Sequence, residues 1–228
     1  MRPVLLVVGA ARHSLGEAVA AQAEENWDYD LVQTAGITDE SLRLDVRVNE
    51  SIKTVLEEVR PDYVVCTVGV NIPAGIGHTF LPTLMQDSFH TNVVGPLTLL
   101  QHFVTMTSLS VLTRKFVVIS SNSAHIARSG SLPYCASKAA LSMGLRVAAR
   151  DLADNPGILA WGYEPGLLGG TPMTRVTQEQ FSGPLHRMKG VGPGGLSPYA
   201  LADRVLSDLS LSGLGLHGTM FRFDAGEQ

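Results

Sequence analysis

Three observations predict a doubly wound α/β fold, built on one parallel sheet of seven strands in a single domain. Short apolar runs recur along the 228 residues, and most of them lack polar alternation. Stretches with helical spacing lie between the runs. The composition, 45% hydrophobic and 17% charged, suffices for a large core. Strands covered on both faces read as continuous apolar runs. Strand and helix alternating along one chain imply right-handed crossovers and parallel order.

The first strand is Pro3–Val8. Its context, "MRPVLLVVGAA", has the look of a secretion signal, but the apolar run is short and passes directly into a helical pattern, so it reads as a buried strand. A turn, Gly9–His13, follows. Ser14 and Glu17 then form the S-x-x-E capping box that starts the helix Leu15–Asn26. Asp30–Ala35 is the second strand and Leu42–Leu44 a weaker third, with too few residues between them for a helix. Next come the helix Glu50–Arg60, the strand Asp62–Val68, the helix Gln86–Leu112 and the strand Lys115–Ser120. Pro133 suits the first turn of the helix Tyr134–Ala153, and Asn155-Pro156-Gly157 stops it. After the strand Ile158–Tyr163, a Gly- and Pro-rich stretch from Leu167 to Gly195 reads as a mobile cover, with Met173, Phe181, Leu185 and Met188 as its apolar contacts. The helix Pro198–Ser210 and the strand Gly218–Asp224 complete the order.

Bulk properties exclude several functions. A net charge of −4 offers no electrostatic footprint for nucleic acid or an anionic membrane. No segment approaches the roughly 20 apolar residues that cross a bilayer. Cys66 and Cys135 have neither metal-ligand spacing nor a disulfide framework, and no two of the seven histidines stand three or four apart. No metal site is expected, and the cysteines fit a reducing, cytoplasmic compartment.

Sheets of this class bind ligands beyond the carboxyl ends of their strands. The turn Gly9–His13 leads into a helix N-terminus, where free N–H groups and the helix dipole favour an anion. Tyr134 and Lys138 stand one turn apart, about 6 Å along a helix axis. A phenol with a free pKa near 10 is a poor base at neutral pH, and a neighbouring ammonium favours its phenolate. Such a pair can serve as a general acid and base. "FVVISSNSAH" ends a buried strand in hydroxyls, with Ser121 13 residues before Tyr134.

Taken in order, these motifs resemble the short-chain dehydrogenase/reductase family, whose Rossmann-type fold the predicted order matches. The glycine turn follows the first strand. "LRLDVRVNES" resembles the family's Asp-Val segment, with Asp45 on the adenine edge and Val46 beside it. "VVCTVGV", with Val68 and Gly69, stands at the Asn-Asn-Ala-Gly turn, and "FHTNVVGPLTLLQ" carries the helix asparagine at Asn92. "YEPGLLGGTPM" replaces the Pro-Gly…Thr-x-Met segment with Pro165, Gly166, Leu168 and Thr171, and "GTMFRFDAG" is the closing strand.

The resemblance implies a catalytic set of Asn92, Ser121, Tyr134 and Lys138. Tyr134 exchanges a proton with the carbonyl oxygen as hydride moves to or from a nicotinamide. Ser121 holds that oxygen, Lys138 lowers the tyrosine pKa and holds the nicotinamide ribose, and Asn92 keeps a water behind Lys138. Gly9, Arg12, Ser14, Leu15, Asp45, Val46, Val68, Gly69, Pro165, Gly166, Leu168 and Thr171, with Tyr134 and Lys138, are expected at the cofactor. The substrate is then a small carbonyl or alcohol compound, and the oligomer a homodimer or homotetramer with the Gln86–Leu112 and Tyr134–Ala153 helices at its interface.

The chain departs from the family at several points. The opening turn is one residue longer, with Ser14 in place of the middle glycine. Enoyl reductases of the family share an irregular loop but space tyrosine and lysine seven apart, where this chain has Leu141. Cys66 and Thr67 replace the paired asparagines. Glu164 precedes Pro165, either as a buried salt-bridge partner or near the nicotinamide. The second strand ends "VQTAG" without an acid to grip a ribose hydroxyl, and Asp30 is roughly 20 Å away at its other end. Arg12 can meet a 2′-phosphate, so NADP(H) is favoured. NAD(H) is the alternative if Asp39 or Glu40 folds back. His125 and Arg128 either meet a polar substrate group or face water. A non-catalytic NADP(H)-binding regulator or sensor is the second functional reading.

Overall fold

The computed structural model describes residues 2–34, 42–106, 113–175, 195–211 and 214–224. Six parallel strands form one sheet in the order β2-β1-β3-β4-β5-β6: β1 Val4–Val8, β2 Asp30–Thr34, β3 Tyr63–Cys66, β4 Arg114–Ile119, β5 Ile158–Pro165 and β6 Met220–Phe223. The predicted seventh strand is absent among the described residues. Leu42–Leu44 forms no strand of the sheet; Leu44 and Val46 are instead buried against the flank of the core. The apolar signal there came from anchored side chains, with a single bridge residue at Arg43 and no strand in that stretch among the described residues.

The remaining run-to-strand assignments hold because both faces of the central strands are covered. Every residue of β3, β4 and β5 is buried, whereas the edge strands β2 and β6 are partly exposed. Alternate residues enter different cores. Leu5, Val7 and Val65 pack with the helices α1 (Leu15–Asn26) and α6 (Pro198–Ser210). Leu6, Val8 and Val64 pack with α2 (Asn49–Val59), α4 (Gly95–Thr105) and α5 (Leu132–Asp151). Each such aliphatic side chain contributes roughly 1.5–3 kcal/mol by leaving water.

The predicted Gln86–Leu112 helix differs most. It begins earlier, as α3 (Leu81–Phe89), passes through a π-turn at His90–Val94, and continues as α4 to Thr105. Pro82 supports the earlier start, since proline is accommodated in a first turn. Met106 turns extended and ends the helix; residues 107–112 lie outside the described residues. No described helix is long and apolar enough to cross a membrane.

The strand order places a topological switch between β1 and β3, because the chain runs outward to β2 and then returns. Ligand clefts form at such a point, beyond the carboxyl ends of the strands.

Candidate active site

A cleft of about 630 Å³ opens at that switch point. The segments after β1, β2, β3, β4 and β5 build its walls. It gathers Gly9, Ser14, Leu15, Asp45, Val46, Val68, Gly69, Ser121, Tyr134, Lys138, Pro165, Gly166, Leu168 and Thr171, which is most of the set read from the sequence.

The β1 turn is shaped by two glycines. Gly9 has φ +97°, a conformation that disfavours a side chain. At Gly16 a Cβ would stand 2.6 Å from the Gly9 carbonyl oxygen and 2.7 Å from Thr67 Oγ1, so α1 can approach β1 only without one. Ser14 caps α1: its hydroxyl accepts from the Glu17 amide at 3.2 Å and donates to the Gly9 carbonyl at 3.2 Å. The first-turn N–H groups of Leu15 and Gly16 have no partner within the helix. The extra residue of the turn is absorbed by His13 at φ +60°, whose amide donates to Glu17 Oε2 at 2.6 Å. Arg12 is exposed and does not line the cleft, although its neighbours Ala11 and Ser14 do.

The cation that does line that end is Arg47. Its Nε and Nη2 donate to the two carboxylate oxygens of Asp45 at 3.0 and 2.8 Å, and these bonds hold the Asp45 carboxyl below its usual range. The sequence reading missed Arg47, whose signal was its place directly after Asp45-Val46. Asp39 and Glu40 lie outside the described residues, as do Phe181, Leu185 and Met188 of the expected cover. Met173 lines the cleft.

Thr67, in place of one of the paired asparagines, supports the sheet locally. Its hydroxyl is 3.0 Å from the Val8 carbonyl and 3.2 Å from that of Gly9, tying the ends of β1 and β3 together. Cys66, fully buried beside it, has its thiol pushed up to about 11 by burial and stays protonated.

The centre of the cleft is held by α5 against β4. Ser120 Oγ bonds to Ser142 Oγ at 2.8 Å and donates to the Lys138 carbonyl at 3.1 Å, which fixes the helix in register beside Ser121. Lys138 Nζ lies 5.8 Å from the centroid of the Tyr134 ring and donates to the Ile119 carbonyl at 3.0 Å. Burial pushes the Lys138 ammonium down to about 8. Burial also pushes the Tyr134 phenol up, opposed by its hydrogen bond to Ser121 and by the positive charge of Arg128. The expected downward pull on the phenol therefore comes here from Ser121 and Arg128.

Asn92 does not line the cleft. It is fully buried in the π-turn, and its side chain grips both backbone groups of Val70: Oδ1 accepts from the amide at 2.8 Å and Nδ2 donates to the carbonyl at 2.9 Å. Nδ2 also donates to Ser137 Oγ at 2.9 Å, so Asn92 joins the β3 loop to α5. Gly69, next to this clamp, leaves open the space in which a Cβ would stand 3.1 Å from Lys138 Nζ.

Glu164 takes the first of its two expected places. It is buried on β5 and pairs through Oε2 with His125 Nε2 at 2.7 Å, with Arg146 Nη2 3.8 Å from Oε1, and it does not line the cleft. Among the described residues no cluster of three metal-ligating side chains forms.

Comparison with solved structures places this geometry among known folds. A short chain dehydrogenase family protein from Francisella tularensis superposes with a TM-score of 0.81 at 19% identity, covering 99% of this chain and 98% of that one. An NADPH-bound ElxO variant gives 0.82 at 18% identity, with 99% and 98% covered. An actinorhodin polyketide ketoreductase variant with NADPH gives 0.81 at 21% identity, with 99% and 97% covered. At these identities the likeness shows the fold. A search of curated proteins finds no match. The family model for short chain dehydrogenase matches residues 4–181, a span that carries every cleft-lining segment, and the chain belongs to that family.

Proposed function

We propose that this chain is an NADP(H)-dependent oxidoreductase that interconverts a carbonyl compound and its alcohol, with Tyr134 as general acid and base. The observation that carries the reading is the meeting of Ser121, Tyr134 and Lys138 in one cleft, with the Ser121 hydroxyl acting on the phenol and the ammonium 5.8 Å from its ring centroid.

The residues present fit a dinucleotide. The β1 turn and the first turn of α1 offer N–H groups to a pyrophosphate, Val46 and Asp45 border the adenine end, and Gly69 opens the space above Lys138 that a ribose needs. Leu168 and Thr171 close the nicotinamide end. Preference for NADP(H) is supported by Arg47 on the cleft wall and by Arg12 in the adjoining turn, and the ElxO and actinorhodin ketoreductase structures hold NADPH. The bound cofactor supplies a hydride to the carbonyl carbon, or accepts one from the alcohol carbon.

The chain's own residues handle the proton. In the reducing direction Tyr134 gives its phenolic proton to the carbonyl oxygen, so the C=O becomes CH–OH. Ser121 donates a hydrogen bond to that oxygen as negative charge develops. Ser121 and the charge of Arg128 stabilise the phenolate left behind, with the Lys138 ammonium 5.8 Å from the ring centroid adding to them. Asn92 acts through the backbone, holding the Val70 loop and, as a further proposal, a water behind Lys138. Of the cover expected at 167–195, Leu167, Leu168, Thr171 and Met173 border the cleft and residues 176–194 lie outside the described residues; the molecule works as a homodimer or homotetramer.

The test is a fluorescence titration with NADPH and NADH, followed by a carbonyl screen on wild type and Tyr134→Phe. NADPH is expected to bind more tightly than NADH, and Tyr134→Phe to retain NADPH binding while losing about 10³-fold or more in kcat. Binding of neither nucleotide, or substantial turnover by Tyr134→Phe, overturns the assignment.

A further inference from the structure

Among the described residues three basic side chains line the cleft: Arg47, Arg128 and Lys138. Two are accounted for. Arg47 is bonded to the Asp45 carboxylate, and Lys138 is buried against the Ile119 carbonyl. Arg128 differs from both. Its Nε donates to Ser123 Oγ at 2.9 Å and its Nη2 to Asn122 Oδ1 at 2.9 Å, and both partners are neutral. Among the described residues no carboxylate forms an ion pair with it. Asp224 reaches it only through Asn122, whose amide donates to Asp224 Oδ1 at 3.2 Å.

A guanidinium has five N–H donors in a rigid plane. Two bonds fix that plane and leave the other donors for a ligand. The two partners belong to the turn that begins at Ser121, so the cation is held in register with the residue that would grip the reacting oxygen. A freely solvated arginine would have no such tethers. The charge also acts on the Tyr134 phenol, which places Arg128 within electrostatic reach of the acid and base.

We propose that Arg128 seats a carboxylate of the substrate, so that the carbonyl presented to Tyr134 and Ser121 belongs to an oxo acid. The proposal rests on the carbonyl-reducing reading of the same site. A planar fork matches the two oxygens of a carboxylate. A single guanidinium balances one negative charge, whereas a phosphate would call for further cations that this end of the cleft lacks among its described residues. Val70, Leu167, Leu168 and Met173 offer apolar wall for the hydrocarbon between the two groups. The carboxylate takes no part in the redox step. Hydride reaches the carbonyl carbon, the Tyr134 proton reaches its oxygen, and the acid group leaves unchanged.

The experiment compares acids with their methyl esters: 4-oxopentanoate, 5-oxohexanoate and 4-formylbenzoate. Each is titrated calorimetrically into the protein with NADP⁺ and assayed for NADPH-dependent reduction. Wild type is expected to favour at least one acid over its ester by ten-fold or more, in affinity and in kcat/KM. Arg128→Leu is expected to bring that ratio close to one, and Arg128→Lys to give an intermediate value. The ratio cancels any effect of the lost charge on Tyr134. Should Arg128→Leu fail to fold, the wild-type and Arg128→Lys ratios decide. Equal handling of acids and esters throughout the series, or a ratio unmoved by the substitutions, overturns the proposal. Arg128-dependent acid binding without any turnover keeps the carboxylate seat and discards the carbonyl-reducing reading. Reduction of acids and esters alike does the reverse.

Discussion

At the scale of the residue, Lys138 is an ammonium removed from water, with one carbonyl bond at 3.0 Å as its direct compensation. Its proton is held less firmly in the folded chain, at about 8, than the ordinary 10.5 of a solvated lysine. Between those values the unfolded chain binds more protons than the folded one, so stability rises with pH. Below about pH 8 the buried charge costs about 3 kcal/mol, and roughly 1 kcal/mol of that is recovered by pH 9. Cys66, pushed up to about 11, works in the opposite sense above its ordinary value of 9, which bounds the useful window. The melting temperature of wild type minus that of Lys138→Met, without nucleotide, is therefore expected to rise by a few degrees between pH 7 and pH 9. A flat difference would place Lys138 in its ordinary range. Ser121, Tyr134 and Lys138 were legible in the sequence because their spacing is local to one strand end and one helix. The roles of Gly16 and Thr67 were not, since each is defined by contacts that the order of residues does not announce, and for Arg128 the sequence offered a substrate contact or a water-facing loop without the tethers to Asn122 and Ser123.

At the scale of the element, the break between α3 and α4 carries the most consequence. A π-turn is marked by an i+5 backbone bond, here from the Gly95 amide to the His90 carbonyl, and no side-chain period announces it. The sequence therefore read one unbroken helix. The turn buries Asn92 against Val70 and lets Gly95 lie directly on Val46. A Cβ at Gly95 would stand 2.8 Å from Val46 Cβ and 2.9 Å from the Val46 carbonyl oxygen. One of these is backbone, so relief requires moving the segment that borders the adenine end. Gly95→Ala is expected to cost roughly 1–3 kcal/mol in urea unfolding. It is also expected to weaken NADPH binding several-fold more than it alters the substrate KM. Wild-type NADPH affinity in the Gly95→Ala variant would show that Val46 and the turn are uncoupled.

At the scale of the whole molecule, α5 presents two different faces. Ser137, Lys138, Leu141, Ser142, Leu145 and Ala149 are buried toward the sheet and the cleft. On the opposite side Leu132, Ala139, Met143 and Val147 form an outward row at helical spacing, with Met143 57% and Val147 50% exposed. Gly144 allows close approach on the other flank of this helix, where a Cβ would stand 2.8 Å from Leu97 Cδ1 of α4. An apolar row on a helix whose inner face sets the acid and base is the surface through which the proposed homo-oligomer would support the site. Met143→Glu combined with Val147→Glu puts like charges one turn apart on that row while leaving every buried position of α5 unchanged. Light scattering is expected to show wild type as a dimer or tetramer and the double variant at a lower mass. The variant is also expected to lose activity on dilution sooner than wild type, because α5 would then have only its contacts within one protomer, the sheet, α4 and the π-turn, to hold Tyr134 over Lys138. A wild-type monomer, or a double variant of unchanged mass, would place the interface elsewhere and leave this row as ordinary exposed surface.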